Sequence, residues 1–91
     1  MSSVQKYNFK NISASGTTVV QSGHGTLHTV VINTTAATGI VIYDGLNVGG
    51  TRIATIAASP VIGSTLMYDA EFTSGLTVVV GGNSDITLSI G

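Results

Sequence analysis

The sequence predicts an all-β protein, a single small β-sandwich or jelly roll of about eight short antiparallel strands. Three observations lead to this fold class. No segment shows the 3.6-residue spacing of apolar side chains that marks an amphipathic helix over ten or more positions. Clusters of β-branched residues recur instead at intervals of about ten residues, and turn signals rich in glycine and serine separate them. The length of 91 residues supports one domain with one modest core, spanning residues 1–91.

Two strands are predicted in the N-terminal quarter of the chain. Tyr7 and Phe9 alternate with polar residues from Val4 to Ile12, so we expect a strand there with one buried face. A serine-rich turn separates it from a short strand at 17–21. Residues 1–12 are also suited to a different role, as an arm that pairs with the sheet of a neighbouring subunit.

The two central strands are predicted at 26–33 and 39–43. Each contains a continuous apolar run, Val30-Val31-Ile32 in the first and Ile40-Val41-Ile42 in the second. Such runs are expected where both faces of a strand are covered. Because the connection between them is short and uncharged, we expect the two strands to form a hairpin.

Four further strands complete the prediction, and they lie at 52–57, 65–72, 75–80 and 85–90. The strand at 65–72 alternates most clearly, since its even-numbered residues are apolar or aromatic while Asp69 and Glu71 occupy odd positions. This pattern predicts one buried face and one solvated face.

The low charge of the chain limits the classes of function. Seven of the 91 residues are Asp, Glu, Lys or Arg, which is 8%, against about 25% in an average soluble domain. A surface with so few charges suits a subunit that packs against neighbours. The three Lys and Arg residues are too few for the six or so phosphate contacts of a typical nucleic-acid site, so we expect no nucleic-acid partner.

The sequence also predicts no membrane partner and no disulfide cross-link. No apolar run reaches the roughly 18 residues that a membrane span requires. The absence of Cys excludes disulfides and thiolate metal sites. The N-terminus lacks the basic, apolar and small-residue order of a secretory signal, so we expect synthesis in the cytoplasm.

The possible catalytic groups form no recognised constellation. His24 and His28 are four residues apart, which is about 13 Å along an extended strand and too far for one metal ion. Asp69 and Glu71 share a strand face, and we expect them to be solvated and to pair with Arg52 rather than to act as a glycosidase couple. The Gly-x-Ser-x-Gly pattern of a nucleophile elbow is absent. We therefore expect neither enzymatic activity nor a metal or other cofactor.

Two aspartates are interpreted as turn residues. Asp44 precedes a glycine, and Asp85 follows a segment rich in glycine and polar residues. We expect their carboxylates to accept hydrogen bonds from nearby backbone N–H groups.

The residues carry a resemblance to a known group of proteins. The resemblance lies in five segments, 22–34, 42–45, 50–56, 72–80 and 85–88. Together they resemble small proteins encoded by tailed bacteriophages. This resemblance implies a virion component, a capsid decoration or cement protein that binds the outer surface of the phage head. It also implies two partners, the major capsid protein and further copies of the chain in a homodimer or homotrimer, with assembly onto the capsid after synthesis in the host cytoplasm.

Two sets of residues are predicted to make contacts in such an assembly. The candidates for a capsid or subunit interface are Val4, Tyr7, Phe9 and Ile12. The candidates for loop contacts are His24, Leu46 and Val48. The alternative is a fibre, spike or tail-associated adhesin module that holds a host glycan through its loops, although three tyrosines and no tryptophan provide few stacking platforms.

Overall fold

The computed structural model describes residues 7–34, 39–57, 61–82 and 84–91 and confirms the predicted all-β fold class. These residues form eight strands and no helix, so they include no helix that could span a bilayer. The strands are β1 (Asn8–Ile12), β2 (Gly16–Ser22), β3 (Gly25–Thr34), β4 (Ile40–Asp44), β5 (Thr51–Ile56), β6 (Thr65–Phe72), β7 (Gly75–Val80) and β8 (Asp85–Ile90).

The strands form two four-stranded antiparallel sheets. The first sheet has the order β1-β8-β3-β6, and the second sheet has the order β2-β7-β4-β5. The pairs β1·β8, β2·β7, β3·β6 and β4·β5 therefore follow one another along a single antiparallel ribbon, with the 45–50 loop at its tip. The ribbon crosses between the sheets three times, and this rolled arrangement is a jelly roll.

A tight corner carries the ribbon from the second sheet to the first. The N–H of Gly23 in the β2–β3 connection donates to the carbonyl of Ser74 in the β6–β7 connection at 3.0 Å. Gly23 has a φ of 85°, a left-handed conformation that glycine adopts without steric cost. The glycine thus lets both strands of the ribbon turn together.

The core lies between the two sheets and is almost entirely aliphatic. Alternate residues of β8 are buried, as expected for a strand with one face on the core. The buried hydrophobic residues are Ile12, Leu27, Val30, Ile32, Ile40, Ile42, Ile56, Phe72, Leu76, Val78, Val80, Ile86, Leu88 and Ile90.

The two apolar runs occupy interior strands, but they do not pair with each other. β3 lies between β8 and β6, and β4 lies between β7 and β5. The predicted hairpin between them is therefore wrong, since the chain crosses between the sheets in a connection of which residues 35–38 lie outside the described part. Each run buries one face against the opposite sheet, while Val31 and Val41 are half-buried on the outward faces.

The N-terminal strand is part of its own chain's first sheet. β1 pairs with β8 in an unbroken register from Asn8 opposite Ile90 to Ile12 opposite Ile86. Val4, where this strand was predicted to start, lies outside the described residues. β1 therefore occupies the edge of β8 with which an arm from a neighbouring subunit could otherwise pair.

Candidate functional site

Three connections meet at one end of the sandwich, which we call the loop end. It consists of the corners 23–24 and 73–74 and the tip loop 45–50. The two corners are joined by the bond between Gly23 and Ser74, and the N–H of Gly45 donates to the carbonyl of Gly75 at 3.0 Å. Segments far apart in sequence are thereby held side by side.

Asp44, the last residue of β4, ties the tip loop to the neighbouring corner. Its carboxylate accepts the backbone N–H groups of Thr73 at 3.0 Å and Ser74 at 2.9 Å. The expectation that it accepts N–H groups is confirmed, but these donors lie 29 and 30 residues along the chain rather than in its own turn. The bonds from Ser74 and then Thr73 lower the pKa of Asp44, because they stabilise the charged carboxylate.

Asp44→Asn is expected to lower the melting temperature at pH 7 and to have little effect at strongly acidic pH. A carboxyl whose pKa is lowered by folding stabilises the protein above its ordinary value of about 3.9, and this stabilisation is lost as the pH falls through the lower pKa of the folded state. Thermal melts of both proteins between pH 7 and pH 2 measure the difference. A melting-temperature difference that stays constant over this range would contradict the role of the charge.

The loop end also contains a surface pocket of about 390 Å³. Its lining residues are His24, Gly25, Thr26, Glu71, Phe72, Thr73 and Gly91. Leu46 and Val48 are exposed on the adjacent tip loop. The three residues predicted to make loop contacts, His24, Leu46 and Val48, are therefore brought to the same end of the molecule.

The predicted interface residues of the N-terminal strand are divided by its alternation. Tyr7 and Phe9 are on the outward face of the first sheet, where Phe9 is 78% exposed and Tyr7 is half-buried. Ile12, by contrast, is only 5% exposed and packs in the core of its own chain. The correction is that Ile12 is a core residue and does not belong to an exposed contact surface, since its register partner Ile86 points inward.

A histidine–aspartate pair lies beside Tyr7 on the first sheet. The Tyr7 ring stacks on the imidazole of His28 with ring centroids 4.1 Å apart and an interplanar angle of 6°. The Nδ1 atom of His28 shares a hydrogen bond with the Asp69 carboxylate. A bulge in the β3–β6 pairing permits this contact, and Asp69 adopts a left-handed φ of 47° within it.

The sequence predicts no pairing of His28 with Asp69. It predicts that Asp69 and Glu71 pair with Arg52, which instead lies over the Tyr43 ring in the second sheet, 5.9 Å from its centroid. His28 and Asp69 are 41 residues apart, and no local pattern links them. The one sequence feature that favours the bulge is the aspartate at position 69, because aspartate tolerates the left-handed conformation better than most residues.

Asp85 also differs from its predicted role. Among the described residues, its carboxylate accepts hydrogen bonds from the side-chain amides of Asn11 at 2.6 Å and Asn33 at 2.9 Å, and from no backbone N–H group. The bonds from Asn33 and Asn11 lower the pKa of Asp85. Asp85 therefore links the three neighbouring strands β1, β8 and β3 across the outward face of the first sheet.

The His, Asp and Glu side chains of the described residues do not gather in large groups. Within residues 7–34, 39–57, 61–82 and 84–91 there is no group of three or more His, Asp or Glu side chains that could hold a metal ion. Comparison with protein-family models, curated proteins and solved structures gave no match for this chain. The features that bear on function are therefore those of the molecular surface itself.

Proposed function

We propose that this protein is a structural component of a phage particle, a decoration or cement protein that binds the outer surface of the head and bridges neighbouring capsid subunits. The observation that carries the proposal is the amount of apolar surface that the folded chain leaves exposed. Among the described residues, seven large hydrophobic side chains are between 49% and 78% exposed, and the whole sequence has only seven formal charges. They are Phe9, Val19, Leu46, Val48, Val61, Ile62 and Met67.

The exposed apolar side chains are spread over several sides of the molecule. Phe9 and Met67 lie on edge strands of the first sheet, and Val19 lies on an edge strand of the second. Leu46 and Val48 lie at the loop end. A protein that bridges subunits of a repeating shell needs contacts in several directions, and repeated weak contacts give high overall avidity.

The low charge favours the same role. Burying an unpaired charge at an interface is costly, whereas hydroxyl and aliphatic groups are desolvated more easily. On the second sheet, Thr17, Val79, Val41 and Thr55 lie in register across all four strands. This row of β-branched side chains offers an uncharged face for packing.

The test of this proposal is the position of the chain on particles of the parent phage. We expect antibody-gold labelling or a cryo-EM map to place it all around the head in many copies. Purified protein added to heads that lack it should bind saturably and raise the temperature at which the heads rupture. Labelling confined to the tail, together with no binding to heads, would contradict the proposal.

The pocket at the loop end favours a second candidate, a fibre, spike or tail-associated adhesin module that binds a host glycan. Glu71, His24 and Thr73 present polar groups around the pocket, and such groups can bond to sugar hydroxyls. In that case labelling should appear at the tail or at sparse vertices. Glu71→Gln should then weaken attachment to host cells, while it should leave the binding of a decoration protein to heads unchanged.

A further inference from the structure

The jelly roll has four edge strands, and they differ in charge. β1 and β6 are the edges of the first sheet, while β2 and β5 are the edges of the second. β1 carries Lys10, β5 carries Arg52, and β6 carries Asp69 and Glu71. β2 has the sequence Gly-Thr-Thr-Val-Val-Gln-Ser and carries no charge.

Charge on an edge strand acts most directly against pairing of that strand with its own copy. In an antiparallel pair related by a two-fold axis, residues close to the axis lie near their symmetry equivalents, so a charge near the middle of the paired segment brings like charges together. Edge charges are a common protection against such pairing. Lys10 lies in the middle of β1, Asp69 lies near the middle of β6 and Arg52 lies near the start of β5, whereas β2 carries no charge.

We propose that β2 pairs antiparallel with β2 of a second copy of this chain across a two-fold axis. The second sheets of the two copies then form one continuous eight-stranded sheet in the order β5-β4-β7-β2-β2-β7-β4-β5. This inference deepens the proposed function, because it identifies the surface by which a capsid-binding subunit would self-associate.

The regular part of β2 defines the pairing segment. A register shift between Val19 and Gln21 interrupts the β2–β7 pairing, so the uninterrupted stretch is 16–19. Thr17 and Val19 face outward there, and Val19 is 49% exposed. Both are β-branched, and cross-strand pairs of such residues are favourable. Because the pairing segment is short, we expect a weak, concentration-dependent dimer. Such a dimer would bind a shell through two subunits at once, and this avidity would raise its overall affinity.

The proposed dimer makes a specific prediction about distances. Neighbouring strands are about 4.8 Å apart, so the two copies of Thr55 on β5 would be separated by seven spacings, about 34 Å, before the twist of the sheet is considered. The two copies of Thr17 would lie within about 10 Å of each other. Face-to-face packing of the second sheets would instead place the Thr17 pair and the Thr55 pair at similar distances.

The chain has no cysteine, so single-cysteine variants can be spin-labelled without background. Thr17 and Thr55 are exposed residues on the two edge strands of the second sheet. The variants Thr17→Cys and Thr55→Cys therefore place the labels at opposite edges of this sheet. Pulsed electron paramagnetic resonance at high protein concentration should give a short distance for the label at position 17 and a distance at least 15 Å longer for the label at position 55. Equal distances, or no intermolecular signal at either position, would overturn the proposal.

A charge placed on the edge provides an independent test. Val19→Lys should shift the protein to monomer in sedimentation measurements, and Val61→Lys, at a more exposed apolar position outside β2, should leave the dimer unchanged. Thr17→Lys serves as a second edge variant if circular dichroism shows that Val19→Lys disturbs the fold. Equal dimerisation of the wild-type and folded edge variants would contradict the role of β2.

The binding of purified protein to phage heads separates this inference from the proposed function. A dimer with the expected distances that fails to bind heads supports the β2 pairing and contradicts decoration. Saturable binding to heads by a chain that stays monomeric at all concentrations contradicts the β2 pairing and leaves decoration intact.

Discussion

Phe72→Ala is expected to lower the free energy of unfolding by about 3–5 kcal/mol, the usual cost of removing a buried aromatic ring. Phe72 is 1% exposed and is the only aromatic residue among the buried hydrophobic residues of the described chain. Its ring ends close to Gly25, where an added Cβ would lie 2.7 Å from the Phe72 Cζ atom. The aliphatic side chains around it are held in two hydrogen-bonded sheets, so they cannot collapse freely into the cavity.

This loss is large compared with the total stability of a domain of this size. A chain of 91 residues is expected to have a free energy of unfolding of roughly 5–14 kcal/mol. Urea denaturation followed by circular dichroism measures the change. Met67→Ala is the matched control, since it removes a large apolar side chain from the same strand at a position 67% exposed, and we expect a loss below about 1 kcal/mol. Equal losses of unfolding free energy in the two variants would show that the face of β6 that carries Phe72 is not buried.

Gly50→Ala is expected to destabilise the protein by about 1–3 kcal/mol or more, by forcing the tip loop away from β4. A Cβ at position 50 would lie 2.3 Å from the carbonyl oxygen of Asp44. That oxygen belongs to the backbone at the end of a paired strand, so it cannot move without disturbing the β4–β5 register. Because Asp44 also holds the 73–74 corner, the strain should extend across the loop end.

The neighbouring glycine provides the control. A Cβ at Gly49 would meet the Oδ1 atom of Asn47 at 2.9 Å, and this atom is the end of a flexible side chain that can rotate away. Thermal melts should therefore show a much larger decrease in melting temperature for Gly50→Ala than for Gly49→Ala. The reverse order, or no loss for Gly50→Ala, would contradict the close approach between the tip loop and β4.

The strands were predictable because each one carries its own local pattern. β8 alternates Ile86, Leu88 and Ile90 with polar residues, and it was predicted with the bounds that the structure shows. β6 and β7 were also predicted with their observed bounds. In each case the signals are a two-residue period and adjacent glycine or serine, which depend only on neighbours in the chain.

The pairing of the strands could not be predicted in the same way. β3 and β4 look like two arms of a hairpin in the sequence, yet they lie in different sheets. A continuous apolar run shows that a strand is interior, but it does not show which strands lie beside it. The pairing of β3 with β8 and of β4 with β7 depends on contacts between residues more than 30 positions apart. Local sequence patterns do not specify such contacts.

The sequence by itself determined the all-β class, the positions of eight strands, the low charge and the absence of disulfides, because these follow from composition and short-range periodicity. The tertiary structure alone decided which side chains meet. Asp44 binds a distant corner, His28 pairs with Asp69 beneath Tyr7, and β2 is left as the uncharged edge. The physical reason is that burial and strand period are local properties of a chain, whereas hydrogen-bond partners and sheet edges exist only after the ribbon has rolled up.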